Sequence, residues 1–169
     1  MPEPADLKSL MTASPALTLA VAESLTSGRL QARIGEVSGA STFFLGGVTA
    51  YSLEQKVGLL GVSRREAMKV NCVSASIARQ MARGVRRLFG SDIGVATTGY
   101  AEPSGDWKVA VPFAWWAVSL RPGGGKALLV SGKVSCPGLS RVQVQERAAQ
   151  AAYDALLKAL RATAARRRK

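Results

Sequence analysis

Short uncharged runs of strand length recur along this chain, separated first by stretches of helical periodicity and later by a glycine-rich turn. That order restricts the folds open to it. Residues 17–22 are an apolar run bounded by Pro15 and Glu23, which suits a buried strand. Residues 28–34 read as helix, so a strand-to-helix turn falls on Glu23-Ser-Leu-Thr-Ser-Gly28. A second strand is predicted over 43–51, where the pair Gly46-Gly47 marks a bulge or a close approach by another segment. The clearest helix covers 73–89: Ile77, Met81, Val85 and Leu88 line one face at spacings of 4, 4 and 3, and arginines take much of the rest. Ser74 is its expected cap and Gly90 its expected stop. A strand over 93–97 runs toward a Thr-Thr-Gly turn, and two more over 109–120 and 127–134 are joined by Arg121-Pro-Gly-Gly-Gly-Lys126 as a hairpin. The last helix starts at Ser140, whose spacing to Gln143 is that of a capping box. Alternating strands and helices followed by a hairpin predict an α/β layered domain with a mixed sheet.

At 169 residues the chain is one domain. Residues 1–15 read as a polar lead-in with room for a short helix, 16–162 as the single folded domain, and 163–169 as a basic, disordered tail. There is no histidine. Imidazole-based triads, His-ligated zinc and a histidine pH switch are therefore excluded, and any nucleophile must be activated by Lys, a carboxylate or Tyr. Cys72 and Cys136 form no CxxC pair, so neither a metal cluster nor a disulfide scaffold is expected. Buried free thiols in a reducing cytoplasm are the expectation. Residues 16–22 end in Ala-x-Ala, but Glu3 and Asp6 offset Lys8 and Pro15 interrupts the approach, so no secretory leader is expected. The longest uncharged stretch, 37–53, carries several Ser and Thr and two adjacent glycines, so it is no membrane span.

Two positions invite a chemical reading. Ser24 sits at the strand-to-helix turn, where a hydroxyl and unpaired backbone N–H groups face one spot and the helix dipole favours negative charge. A tetrahedral oxyanion or a phosphate fits there, and simple helix capping by Ser24 or Thr26 fits as well. Lys56 is the first cation after Arg33. It is either a desolvated general base or a surface lysine with its head in water. Gly123-Gly-Gly-Lys126 lacks the leading glycine and the closing Ser or Thr of a phosphate loop, and no GxGxxG follows the first strand.

Five stretches together resemble the C-terminal domain of the CinA (competence/damage-inducible) family. They are Ala22-Glu-Ser-Leu-Thr-Ser-Gly28, residues 38–56 from Ser-Gly-Ala-Ser through Glu-Gln-Lys, Leu59-Leu-Gly-Val62, the segment from Val73-Ser to Met81-Ala-Arg-Gly84, and Thr97-Thr-Gly-Tyr-Ala-Glu-Pro103. They occur in family order from about residue 17 to about residue 160. The resemblance implies a three-layer α/β/α sandwich with a mixed β-sheet, in the stand-alone form of the module. It implies hydrolysis of a carboxamide to a carboxylate and ammonia, as in nicotinamide mononucleotide deamidase, with no metal or organic cofactor. Carried over by position, Ser24 is the nucleophile, Lys56 the base that takes its proton, and Tyr51 a neighbour that assists proton movement. Ser41 and Thr98 line the substrate pocket, and Arg141 holds the phosphate of a small phosphorylated amide. Leu25 and Ser27 depart from the family's Cys and Gly, Tyr100 and Glu102 from its Ile and Gly, and Gln145 replaces a second arginine. A non-catalytic member that binds a nucleotide-like ligand or an acidic partner stays open on the same residues.

The net charge of +12 is concentrated. Seven Lys or Arg stand against Glu66 alone between Gly61 and Gly90, and residues 161–169 hold five more with no acid. No helix-turn-helix, zinc finger or RNA-recognition motif accompanies them, so a solvated helix face and tail are expected and nucleic acid is not. Trp115 and Trp116 point to opposite sides of their strand, one toward the core and one toward a subunit contact, and a homo-oligomer is expected.

Overall fold

The computed structural model describes residues 6–167. Its elements are α1 (Leu7–Thr12), β1 (Leu19–Glu23), α2 (Arg29–Gly35), a 3₁₀ turn (Ala40–Thr42), β2 (Phe44–Thr49), α3 (Leu53–Leu60), α4 (Arg64–Lys69), α5 (Ala75–Phe89), β3 (Ile93–Tyr100), β4 (Phe113–Leu120), β5 (Leu128–Ser135) and α6 (Arg141–Arg167). The strands form one sheet in the order β2-β1-β3-β4-β5. β1 pairs in parallel with β2 and β3, and β3-β4-β5 run antiparallel. This is the expected three-layer α/β/α fold with a mixed sheet.

The strand period of two builds the layers. Leu19, Val21, Ile93, Val95, Val118 and Leu120 face α1, α2 and α6. Ala20, Ala22, Ala96 and Ala117, on the alternate positions, face Ile77, Met81 and Val85 of α5 and Leu60 of α3. One face of the sheet is thus paved with large side chains and the other with small ones, which lets the α5 backbone lie close. Gly94 marks the tightest approach: a Cβ there would overlap the carbonyl oxygen of Ala82 and come within 3.0 Å of Arg86 Cβ. Gly94→Ala is therefore expected to destabilise the fold by about 3 kcal/mol in urea unfolding, because α5 must lift from the sheet. A change below about 0.5 kcal/mol would show that α5 is not seated this tightly.

Several elements differ from the sequence reading for identifiable reasons. The lead-in holds α1, whose Leu7 and Met11 are fully buried. With Leu10 these form an i, i+3, i+4 stripe, so the segment belongs to the core. α3 and α4 lie in a stretch to which no element is assigned from sequence. They are 8 and 6 residues long, too short for a clear periodic signal, and are marked by Ser52 and Ser63 accepting from Gln55 N and Glu66 N. β3 runs on through Thr97-Thr-Gly-Tyr100 because each of these residues keeps a partner in β4. β4 begins at Phe113, since Pro112 has no N–H to offer and an isolated Ser104–Val109 bridge closes a separate turn before it. Leu88 is 47% exposed and leaves the α5 stripe, whose inward face is completed by Ala78 and Ala82. α6 continues to Arg167 across the region read as a tail, as Ala-rich sequence propagates helix readily. Residues 168 and 169 lie outside the described residues.

The capping box at the start of α6 forms, with Ser140 N donating to Gln143 Oε1 at 2.9 Å and Gln143 N to Ser140 Oγ at 3.4 Å. A register shift between Leu19 and Ala20 places the bulge at Leu45, just before Gly46, which adopts φ 131°. Gly47 answers the close approach: a Cβ there would lie 2.7 Å from Val21 O. Trp115 and Trp116 pack partly buried against opposite layers. Among the described residues, no helix is long and apolar enough to cross a membrane.

Candidate active site

β1 and β2 are parallel and end side by side, so the chain leaving each passes the same edge of the sheet. β1 leads into Ser24 and β2 into Ala50 and Tyr51. α3 begins two residues after Tyr51 and projects Lys56 back between the two strand ends. Lys56 is 2% exposed, and its Nζ lies 3.0 Å from Ser24 Oγ, 2.9 Å from Ala50 O and 2.8 Å from Tyr51 O. Burial pushes the Lys56 ammonium below the ordinary lysine range. The charge that would pull it back is a Cys72 thiolate, but burial raises the Cys72 thiol as well. The surface-lysine reading is thereby excluded. A neutral amine has two hydrogens and one lone pair. In that form the two backbone carbonyls can take the hydrogens and leave the lone pair to Ser24 Oγ, whereas the ammonium donates to all three oxygens.

The turn that holds Ser24 is anchored from below. Glu23, fully buried, turns its carboxylate under the start of α2 and accepts from Gly28 N and Leu30 N at 3.1 Å each and from Gln31 N at 2.8 Å. The helix-start amides expected to face an incoming anion are therefore taken by Glu23. Ser27 N and Arg29 N close the turn on Ser24 O and Thr26 O, both at 3.1 Å. None of the turn and loop hydrogen bonds among the described residues uses the N–H of Leu25 or Thr26. Thr26 Oγ1 lies 2.8 Å from Thr97 Oγ1, tying the turn to β3, and both threonines are fully buried.

Ser24 and Lys56 open into a cavity of about 310 Å³ whose wall includes Tyr51, Asn71, Cys72, Thr98 and Tyr100. Thr98 is there as expected, but its hydroxyl donates to Cys72 O at 2.7 Å, so it shapes the wall. That bond holds Asn71 and Cys72, which have φ of 48° and 61°, in the left-handed region that non-glycine residues rarely occupy. Tyr51 contributes differently from the expectation. Its carbonyl accepts from Lys56, whereas its side chain is 55% exposed and its hydroxyl accepts from Arg141 Nη2 at 3.1 Å. Arg141, in the first turn of α6, stands at the cavity mouth and also donates from Nη1 to Glu102 Oε2 at 2.7 Å. Ser41 is not brought to this cluster. It is exposed in the 3₁₀ turn that precedes β2, while the cavity lies beyond the other end of that strand. A strand of six residues separates them, roughly 20 Å of extended chain.

Asn71 and Cys72 are cavity residues that sequence reasoning did not single out. Cys72 reads in sequence only as a buried free thiol, and no glycine announces the left-handed backbone that turns it toward Lys56. Both cysteines are free, Cys136 buried and Cys72 half-buried in the wall. Among the described residues there is no group of three or more Cys, Asp or Glu that could hold a metal ion.

Comparison with known proteins agrees with the resemblance seen in the sequence. The family model of the CinA C-terminal domain matches residues 5–160. A CinA-like protein of Gemmatimonas aurantiaca is 40% identical over 158 residues, covering 91% of this chain and 36% of that protein. A CinA-like protein of Chlorobium limicola is 47% identical over 95 residues, covering 56% of this chain and 22% of that protein. The chain thus spans between about a fifth and about a third of the length of these relatives. Among solved structures, a competence-damaged protein (CinA) superfamily protein from Enterobacter cloacae superimposes with a TM-score of 0.80 at 27% identity, over 91% of this chain and 88% of that chain. One from Klebsiella pneumoniae gives 0.76 at 28% identity, over 87% and 89%.

Proposed function

This chain belongs to the CinA C-terminal domain family, and we propose that it is an amidohydrolase of the nicotinamide mononucleotide deamidase type, converting a small carboxamide to a carboxylate and ammonia. The observation that carries this reading is the buried Lys56 Nζ 3.0 Å from Ser24 Oγ, held there by the carbonyls of Ala50 and Tyr51. A Ser–Lys pair is one of the few ways to form an acyl-enzyme without imidazole, and the chain has no histidine.

The steps follow from that geometry. Ser24 Oγ attacks the carboxamide carbon while Lys56 takes the hydroxyl proton. The resulting oxyanion is received by the backbone at the turn, where the N–H of Leu25, a cavity residue, takes part in no turn or loop hydrogen bond among the described residues. Collapse breaks the C–N bond, the Lys56 ammonium gives its proton to the departing nitrogen, and ammonia leaves an ester on Ser24 Oγ. Water then attacks the ester carbon, Lys56 takes one of its protons and passes it to Ser24 Oγ, and the acid leaves, losing its remaining proton to solvent as the carboxylate. Tyr51 acts through its carbonyl on Lys56 and its hydroxyl on Arg141.

Release of ammonia by the purified protein from a panel containing nicotinamide mononucleotide and related carboxamides tests the reading, and no turnover of any member would sink it. Its pH dependence is a second handle. The base form of Lys56 is the active one and burial favours it, so kcat/KM is expected to rise with pH and level off at an apparent pKa below the ordinary lysine value of 10.5. A plateau reached only at or above that value would contradict a desolvated base. Stability shares the sign: between the folded pKa of Lys56 and its unfolded value the unfolded chain binds more protons, so stability from this group rises with pH across that window.

A further inference from the structure

The mouth of the cavity carries information about the substrate that the Ser–Lys pair does not. Resting on the amidohydrolase reading, we infer that the amide accepted here carries an uncharged, hydroxyl-bearing tail in place of a phosphate, and that Glu102 is the residue that sets this specificity.

Beyond the Ser24 cavity lies a second one of about 290 Å³ that shares Tyr51, Asn71 and Tyr100 with it and adds Glu102, Ser104 and Arg141. An amide with its carbonyl at Ser24 therefore extends its tail toward Arg141. The charged side chains lining the two cavities are Lys56, Glu102 and Arg141. Lys56 is buried at the far end and engaged by Ser24, Ala50 and Tyr51, so the mouth is governed by the other two. They cancel. Arg141 Nη1 donates to Glu102 Oε2 at 2.7 Å and Nη2 to Tyr51 at 3.1 Å, so both arms of the guanidinium fork are engaged.

A phosphate arriving at Arg141 would have to displace the Glu102 carboxylate and then remain beside it, two like charges sharing one cation. An uncharged hydroxylated tail meets no such conflict. Among the described residues Glu102 Oε1 takes no hydrogen bond, and an anionic oxygen is a strong acceptor for O–H. The Ser104 and Tyr51 hydroxyls lie on the same wall. The ion pair itself is exposed, with side chains 45% and 59% accessible, and such pairs add little to folding. Its consequence is the charge offered to a ligand.

The test compares nicotinamide mononucleotide with the nucleoside left when its phosphate is removed, on wild-type protein, Glu102→Gln and Glu102→Ala. Wild-type protein is expected to favour the nucleoside in kcat/KM by at least about tenfold, and both substitutions to move the ratio about tenfold or more toward the mononucleotide by releasing Arg141. A wild-type preference for the mononucleotide, or a ratio that neither substitution moves, would overturn the assignment. Calorimetric binding of ribose 5-phosphate gives a readout without turnover: Glu102→Gln is expected to bind it at least about tenfold more tightly than wild type, and equal affinities would overturn the assignment as well. Turnover of neither amide by any of the three proteins would sink the amidohydrolase reading alone, with the ribose 5-phosphate comparison still deciding the charge specificity of the mouth.

Discussion

Ser24→Ala is expected to lower kcat/KM for ammonia release by at least about a thousandfold, while the melting temperature stays within about 2 °C of wild type. The loss is large because no other hydroxyl stands at hydrogen-bond distance from Lys56 Nζ, whose described partners are Ser24 Oγ, Ala50 O and Tyr51 O. The stability cost is small because the truncation removes one oxygen and leaves Lys56 its two carbonyl partners. Lys56→Met, which keeps the length of the side chain and removes the proton acceptor, is expected to lose activity to a similar degree. The double variant should be no worse than either single one, since nucleophile and base act as a unit. Lys56→Arg should not rescue, because a guanidinium does not surrender its proton at any working pH. Steady-state ammonia release on the same substrate for all four variants decides the matter. Retention of more than about a tenth of the wild-type rate in Ser24→Ala would remove Ser24 from the chemistry.

The second large effect is on the fold. Glu23→Ala is expected to cost about 4 kcal/mol in urea unfolding, or roughly 8–15 °C in melting temperature. Glu23 is fully buried and its carboxylate accepts three backbone N–H groups at the start of α2. Without it one buried and two part-buried donors lose their acceptor, each at about 1–3 kcal/mol, with the part-buried ones toward the low end. Glu23→Gln keeps the shape but turns a donor toward donors, and about half the loss is expected. Because Glu23 precedes Ser24 directly, turnover should fall in both variants even where they remain folded. A loss below about 1 kcal/mol in Glu23→Ala would mean that water satisfies these amides as well as the carboxylate does.

The elements read most readily from sequence are those whose burial is periodic over several turns or a full strand. α5 declared itself through Ile77, Met81 and Val85, with Ser74 and Gly90 at its ends. The β4–β5 hairpin was marked by its glycine-rich turn. α3 and α4 escaped because eight and six residues give a period too few repeats, although Ser52 and Ser63 were visible as caps. The lead-in had room for the short helix α1, but its stripe of Leu7, Leu10 and Met11 acquires meaning as core only when α6 lies over it. Leu88 illustrates the opposite error: a residue at the right spacing still faces solvent when the helix has no neighbour on that side.

For the site, residue type and order pointed to Ser24 and Lys56, since a hydroxyl at a strand-to-helix turn and an isolated lysine are local features. Whether that lysine was a base or a surface charge was undecidable along the chain. It depends on two residues 32 positions apart returning to the same strand edge, which removes Nζ from water. The same is true of Tyr51, whose carbonyl serves Lys56 while its hydroxyl serves Arg141, 90 residues away. Glu102 and Arg141 are each marked by the family resemblance, but they form a neutral pair only once α6 is docked. Local sequence thus carried the strand and helix pattern, the exclusion of imidazole chemistry and the residue types at the turn, because those depend on neighbours within a few positions. Tertiary structure decided the desolvation of Lys56, the exclusion of Ser41 from the cavity and the charge of its mouth, because burial and ion pairing depend on which distant segments share the same few ångströms.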